Sequence, residues 1–260
     1  MPSAPLRSFL AGLLAASVAL PAFAFNDPSA GVPPDDALLL LRDGNRRFVA
    51  GESVHFQQDA RRRRETAANG QKPFAIVLTC SDSRVPPELL FDQGIGCLFV
   101  IRVAGNVAQT DEVATVEYGV GHLGARLIVV LGHTKCGAVT AVVDEAHVGP
   151  NLAQLVKPIV PAADRARSDN PGLSGAPLVA AAIRANVEQA MEDLRRLSPE
   201  IAAAVSFGRT RLVGALYDIE TGEVTWLERT TPPPAADPHE AATADPHTAP
   251  APSPAAPAHH

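Results

Sequence analysis

Along the middle of the chain, short apolar runs alternate with stretches of helical period. Residues 74–79 (FAIVLT), 98–103 (LFVIRV), 127–131 (LIVVL) and 212–216 (LVGAL) are rich in β-branched side chains and carry almost no polar interruption. That is the pattern of strands covered on both faces. Between them the spacing changes to that of a helix. Residues 111–124 place Val113, Val116, Val120 and Leu123 on one stripe and reach a C-terminal glycine, Gly124. Residues 177–197 begin with a first-turn proline and repeat Val179, Ile183, Val187, Ala190, Leu194 and Leu197 on one face, and residues 36–49 form a third amphipathic helix. After Tyr217, residues 218–222 (DIETG) form a hairpin loop into a last strand, 224–227. Strands alternating with helices predict an α/β fold: a mostly parallel β-sheet of about four strands plus an antiparallel edge strand, flanked by helices. No internal repeat interrupts this order.

Both ends of the chain stand apart from this pattern. Arg7, an apolar stretch over residues 9–20 and the small-x-small tripeptide Ala22-Phe23-Ala24 read as a secretory signal, residues 1–24, cut after Ala24. Twelve residues followed by Pro21 fall short of the ~20 needed to span a bilayer, so an exported soluble protein, periplasmic or secreted, is expected and no membrane span. Residues 231–260 hold nine of the 24 prolines and no Leu, Ile, Val or Phe. A flexible Pro/Ala-rich tail is expected there, because so little apolar surface cannot offset the entropy of ordering it. Its histidines, His239, His247, His259 and His260, have no spacing that fixes a metal geometry. The folded domain is therefore expected over residues 25–230, one core of ordinary size.

Charge and cysteine count narrow the function. With 22 Lys plus Arg against 28 Asp plus Glu, and one basic block, residues 61–64, that reads as a solvated helix face beside Glu65, nucleic acid is not an expected partner. Three cysteines exclude a disulfide framework. Cys80 directly follows the first apolar run and His133 the third, so both sit at the carboxyl ends of parallel strands, where open α/β sheets bind ligands. Cys136 follows in Gly132-His133-Thr134-Lys135-Cys136-Gly137, a glycine-bracketed turn before a helix. Two thiolates and one imidazole suit zinc, and three protein ligands leave a position for water, as catalytic sites do. The alternative for each cysteine is packing as a small hydrophobe. In Cys80-Ser81-Asp82-Ser83-Arg84 the acid and the base are two residues apart and can pair in a tight turn beside the metal, or simply bridge that turn. Helix N-termini after each turn are expected to favour the thiolate forms.

CSDSR and GHTKCG, with KPFAIVLT before the first and LFVIRVAGN between them, together resemble the β-class carbonic anhydrases, and the similarity runs from about Asp36 to about Leu227. The resemblance implies reversible hydration of carbon dioxide to bicarbonate, one zinc per subunit on Cys80, His133 and Cys136, and Asp82 with Arg84 as a catalytic dyad in which the arginine holds the carboxylate off the metal. It implies that Gln71 bonds substrate oxygen across a dimer interface with help from the Gly137 N–H, so that a homodimer or higher even oligomer is expected. Phe99, Ala104 and Tyr118 fall where the family lines its carbon dioxide pocket, Ala104 being smaller than the valine common there. His122, four residues after Tyr118, matches a histidine proposed as a proton shuttle, or is a solvated residue near a helix end. Arg102 and Tyr217 match two of three residues that hold an inhibitory bicarbonate in some relatives, but Val77 replaces the tryptophan. An open site without cooperative bicarbonate inhibition follows. Two alternatives remain: a carbon disulfide or carbonyl sulfide hydrolase on the same ligands, and a non-catalytic exported zinc-binding module. His55 and His147 read as surface histidines. Cys97 has no assigned role.

Overall fold

The computed structural model describes residues 31–227. The expected signal, residues 1–24, and the expected tail, 231–260, lie outside the described residues. Among the described residues no helix is long and apolar enough to cross a membrane.

The chain runs α1 (Pro34–Ala50), α2 (Ala60–Asn69), β1 (Ala75–Thr79), α3 (Pro87–Leu90), β2 (Leu98–Arg102), α4 (Thr110–Gly121) and β3 (Leu127–His133). It continues through α5 (Gly137–Val143), α6 (Pro150–Val156), a 3₁₀ turn at Lys157–Ile159, α7 (Val160–Asp169), α8 (Gly175–Leu197), α9 (Pro199–Ser206), β4 (Arg211–Tyr217) and β5 (Val224–Leu227). The strands form one sheet in the order β2-β1-β3-β4-β5. All neighbouring pairs are parallel except β4 with β5, which is the expected fold class.

Side-chain alternation splits the sheet's apolar residues between two layers. Ala75, Val77, Leu127, Val129, Leu131, Val213 and Ala215 pack with Ala37, Leu38 and Leu41 of α1 and with Leu90 and Phe91. Ile76, Leu78, Ile128, Val130 and Leu212 face the opposite way, onto Val113 and Val116 of α4, Val187, Ala190, Met191 and Leu194 of α8, and Ile201 of α9. Both faces are covered, which is why the strands read as continuous apolar runs. Gly44 lets α1 come close to the sheet layer: a Cβ there would lie 1.7 Å from the Phe91 carbonyl oxygen.

Three local expectations need correction. The helix expected over 111–124 ends at Gly121, because the amides of both His122 and Leu123 turn back onto the Tyr118 carbonyl. Gly124, at φ 69°, reverses the chain three residues later. Leu197, assigned to the apolar stripe of the long helix, is 41% exposed at its last turn. His133 is the final residue of β3 rather than the residue beyond it.

The strand order places the site. From β1 the chain crosses to β2 on one side and then to β3 on the other, so the switch point of the topology lies between the carboxyl ends of β1 and β3. Thr79 pairs with Leu131 in register, which sets Cys80 beside Gly132 and His133.

Candidate metal centre

Cys80, His133 and Cys136 meet at that switch point. All three are buried, and their ligand atoms lie within 4.8 Å of one another. The His133 Nδ1–H donates to the Thr134 carbonyl at 2.9 Å, which leaves the lone pair on Nε2. Nε2 is buried and has no hydrogen-bond partner among the described residues. A buried polar atom without a partner is costly in a folded protein, and here it sits with two sulfurs, the donor set zinc prefers. The residues therefore fit a divalent zinc ion.

The two thiols are linked. The neighbouring Cys136 thiol draws the Cys80 pKa well below that of a free thiol, and the Gly105 N–H on Cys80 Sγ adds to this. Cys136 is pushed the other way, by the neighbouring Cys80 sulfur and by burial. The pair thus keeps one proton between two sulfurs, a place that a divalent cation fills by displacing it.

Local sequence explains the rest of the geometry. Cys136 is the N-cap residue of α5, and Gly137 is that helix's first residue, where amide groups have no acceptor within the helix. The turn after Cys80 is different from expectation: α3 starts only at Pro87 and has four residues, so no helix end supports this sulfur. Its donor is the Gly105 N–H, 3.3 Å from Sγ. Asp82 and Arg84 pair in the turn as a two-point ion pair, Nε to Oδ1 at 2.9 Å and Nη2 to Oδ2 at 2.6 Å, and the Arg84 backbone N–H adds a third bond to Oδ1 at 2.9 Å. The Asp82 carboxyl is held well below the usual carboxylate range, chiefly by the Arg84 guanidinium. Its Oδ2 is 3.9 Å from His133 Nε2. Arg102, at the end of β2, donates to the carbonyls of Cys80 and Asp82 and so fastens this turn to the edge strand.

Other residues singled out in the sequence lie at varied distances from this cluster. Phe99, level with Ile76 on β1, meets Tyr118 with tilted rings, centroids 6.0 Å apart, and Tyr118 meets the His122 ring at 5.1 Å. His122 caps α4 and is exposed. Ala104 is half-buried beside Gly105. Gln71 is not brought to the cluster: it is exposed before β1, at the strand end opposite Cys80, in a surface depression with Arg63, Thr66, Ala67, Gly70 and Ile95. The strand between them spans about 16 Å. Val77 is fully buried in mid-strand and Tyr217 is buried at the end of β4. His55 and His147 are exposed. Cys97 is buried, its thiol donating to Gln57 Oε1 at 3.3 Å, and burial pushes its pKa up. Residues 61–64 lie on α2, which buries no side chain.

Two residues at the cluster were not singled out in the sequence. Gly105 contributes through its backbone alone, which no side-chain pattern shows. Asn186 donates to the Gly105 carbonyl from α8, and its signal was a polar residue inside an apolar stripe.

A family model for carbonic anhydrase matches residues 75–224. The carbonic anhydrase of Mycolicibacterium smegmatis is 38% identical over 195 residues, covering 74% of this chain and 92% of that protein. Carbonic anhydrase 2 of Mycobacterium tuberculosis is 37% identical over 193 residues, 73% of this chain and 90% of its own. Among solved structures, the β-carbonic anhydrase CcaA superposes with a TM-score of 0.60 at 29% identity, covering 74% of this chain and 95% of that one. The β-carbonic anhydrase CafA of Aspergillus fumigatus gives a TM-score of 0.60 at 27% identity over 80% of this chain and 94% of that one.

Proposed function

This chain belongs to the β-class carbonic anhydrases and interconverts carbon dioxide and bicarbonate, and from that premise we propose that it works with one zinc ion held by Cys80, His133 and Cys136. The observation that carries the zinc reading is the buried, partnerless His133 Nε2 beside two sulfurs. Zinc at such a site supplies a Lewis acid that lowers the pKa of water from 15.7 to about 7. Neither a carbon disulfide or carbonyl sulfide hydrolase nor a non-catalytic zinc module is favoured by the relatives, which are carbonic anhydrases.

The protein's own groups divide the remaining work. Asp82, with its carboxylate turned by Arg84, accepts a hydrogen bond from the attacking water and takes up its orientation. Arg84 keeps that carboxylate charged and away from His133 Nε2. Ala104, next to Gly105, offers apolar surface near the cluster. Phe99, level with Ile76 on β1, and Tyr118 against it lie toward the other end of the strand, as Gln71 does, and wall the carbon dioxide pocket of the partner's site. The Gly137 N–H and Gln71 donate to the oxygen on which charge develops. His122, exposed and tilted against the Tyr118 ring, passes the released proton to solvent. Stopped-flow carbon dioxide hydration by the purified protein, with zinc content measured alongside, tests this reading: one zinc per chain and fast hydration support it, and a zinc-free chain of full activity refutes it.

Gln71 cannot serve its own cluster from the far end of β1, so the smallest active unit is a two-fold dimer in which each Gln71 serves the partner's site. Light scattering combined with specific activity is expected to give a dimer or a higher even oligomer as the active species. A monomeric mass at full activity contradicts it. We read the chain as exported, with residues 1–24 as its signal.

At neutral pH the site is in its open form, with Asp82 on Arg84. The folded-state pKa of Asp82 is depressed, so the stabilisation from this pair is fully present above the ordinary carboxylate value of about 3.9 and is lost only as pH falls through the lower folded value. Val77 cannot donate to a bound bicarbonate, and Arg102 is already engaged with two backbone carbonyls. Losing one donor to a buried anion costs about 1–3 kcal/mol, roughly ten- to hundredfold in affinity. Bicarbonate inhibition is expected to be hyperbolic and weak near neutral pH. A sigmoidal inhibition curve contradicts this.

A further inference from the structure

The buried face of α8 is apolar apart from Asn186 and Asp193. Asp193 is paired with Arg196 on its own helix, whereas Asn186, 2% exposed, reaches 81 positions back in sequence and donates from Nδ2 to the Gly105 carbonyl at 2.7 Å. Gly105 stands in the left-handed region, φ 78°, and a Cβ there would come within 2.6 Å of the Ile159 side chain. Its N–H donates to Cys80 Sγ at 3.3 Å. The two bonds leave the same residue on either side of one Cα, so fixing the carbonyl at this confined φ also fixes the direction of the amide.

We propose that Asn186 is a positioning residue for the metal centre: it holds Gly105 so that the Gly105 N–H stays on the Cys80 sulfur and moderates the charge this thiolate presents to the metal. The proposal rests on the reading that Cys80 is a zinc ligand. Outer partners of metal ligands orient them and set their donor strength. Without the Asn186 amide the Gly105 carbonyl is a buried acceptor with nothing to accept from, and the 104–106 loop shifts to reach water. The amide on the other side of Gly105 then leaves the sulfur.

Cobalt(II) is the probe, because thiolate-bound cobalt gives a sulfur-to-metal charge-transfer band that reports on the sulfur directly. Asn186→Leu and Asn186→Ala are expected to weaken zinc and cobalt binding about 10- to 100-fold and to move the band to lower energy. Leu194→Ala opens a cavity on the same helix about 12 Å away and is expected to lower the melting temperature while leaving the band in place. An unmoved band in whichever Asn186 variant folds overturns the proposal, whatever happens to its melting temperature. A wild-type protein that binds cobalt without such a band overturns the ligand reading, and the proposal with it.

Discussion

Cys80→Ser and His133→Ala are each expected to lose zinc and carbon dioxide hydration together. Three side chains converge within 4.8 Å in a buried site, and a metal held by three protein ligands does not keep its place on two against water and chelators. His133→Ala removes the only nitrogen of the set. Cys80→Ser replaces a soft sulfur, whose pKa is lowered beside Cys136 and the Gly105 N–H, by a hydroxyl that stays neutral and binds zinc poorly. The loss in zinc affinity should exceed the ~10- to 100-fold typical for removing a ligand's outer partner, and hydration should fall to the uncatalysed background. Because a metal that binds only the folded state adds about 4 kcal/mol of stability at a thousand times its dissociation constant, the melting temperature of wild type should respond to added zinc while that of the variants does not. Metal content after dialysis and stopped-flow rates check this. Stoichiometric zinc in both variants would sink the ligand assignment.

Asp82→Asn is expected to separate binding from turnover. The amide keeps the size of the carboxylate, and its oxygen still accepts from Arg84, but the charge and one acceptor are lost. Asp82 is not in the cluster of ligand atoms, and its nearer carboxylate oxygen stands 3.9 Å from His133 Nε2, so zinc content and fold should be retained. Losing a positioned acid-base group costs about 10²- to 10⁴-fold in rate. A stopped-flow kcat within a few-fold of wild type, at full zinc occupancy, would move the acid-base role to another residue.

Much of this was legible before any coordinates. The strands announced themselves because both sheet faces are covered, so Ala75–Thr79 and Leu127–His133 are buried throughout. Cys80 and His133 could be placed on one rim because strand ends and the switch point follow from parallel order. The stretch from Pro150 to Asp169 gave no helical signal, since Pro158 and Pro161 break its period and much of its buried side is alanine, as at Ala162, Ala163 and Ala166. The period over residues 111–124 predicts a helix that runs to Gly124, but the helical bonds close on Tyr118 before that glycine turns the chain. The sequence points to a helix end as the support for the Cys80 sulfur, whereas the structure uses the Gly105 backbone. A backbone donor depends on φ and on a distant side chain, and neither is written in a local motif.

The central claim is that hydration of carbon dioxide here depends on zinc at Cys80, His133 and Cys136. The most direct measurement is stopped-flow hydration on one preparation of the purified protein as isolated, after chelation and dialysis, and after zinc is returned. The account predicts that activity falls in proportion to zinc removed and recovers as one zinc per chain is restored, with no recovery in His133→Ala. Full hydration activity in the zinc-depleted protein would contradict it.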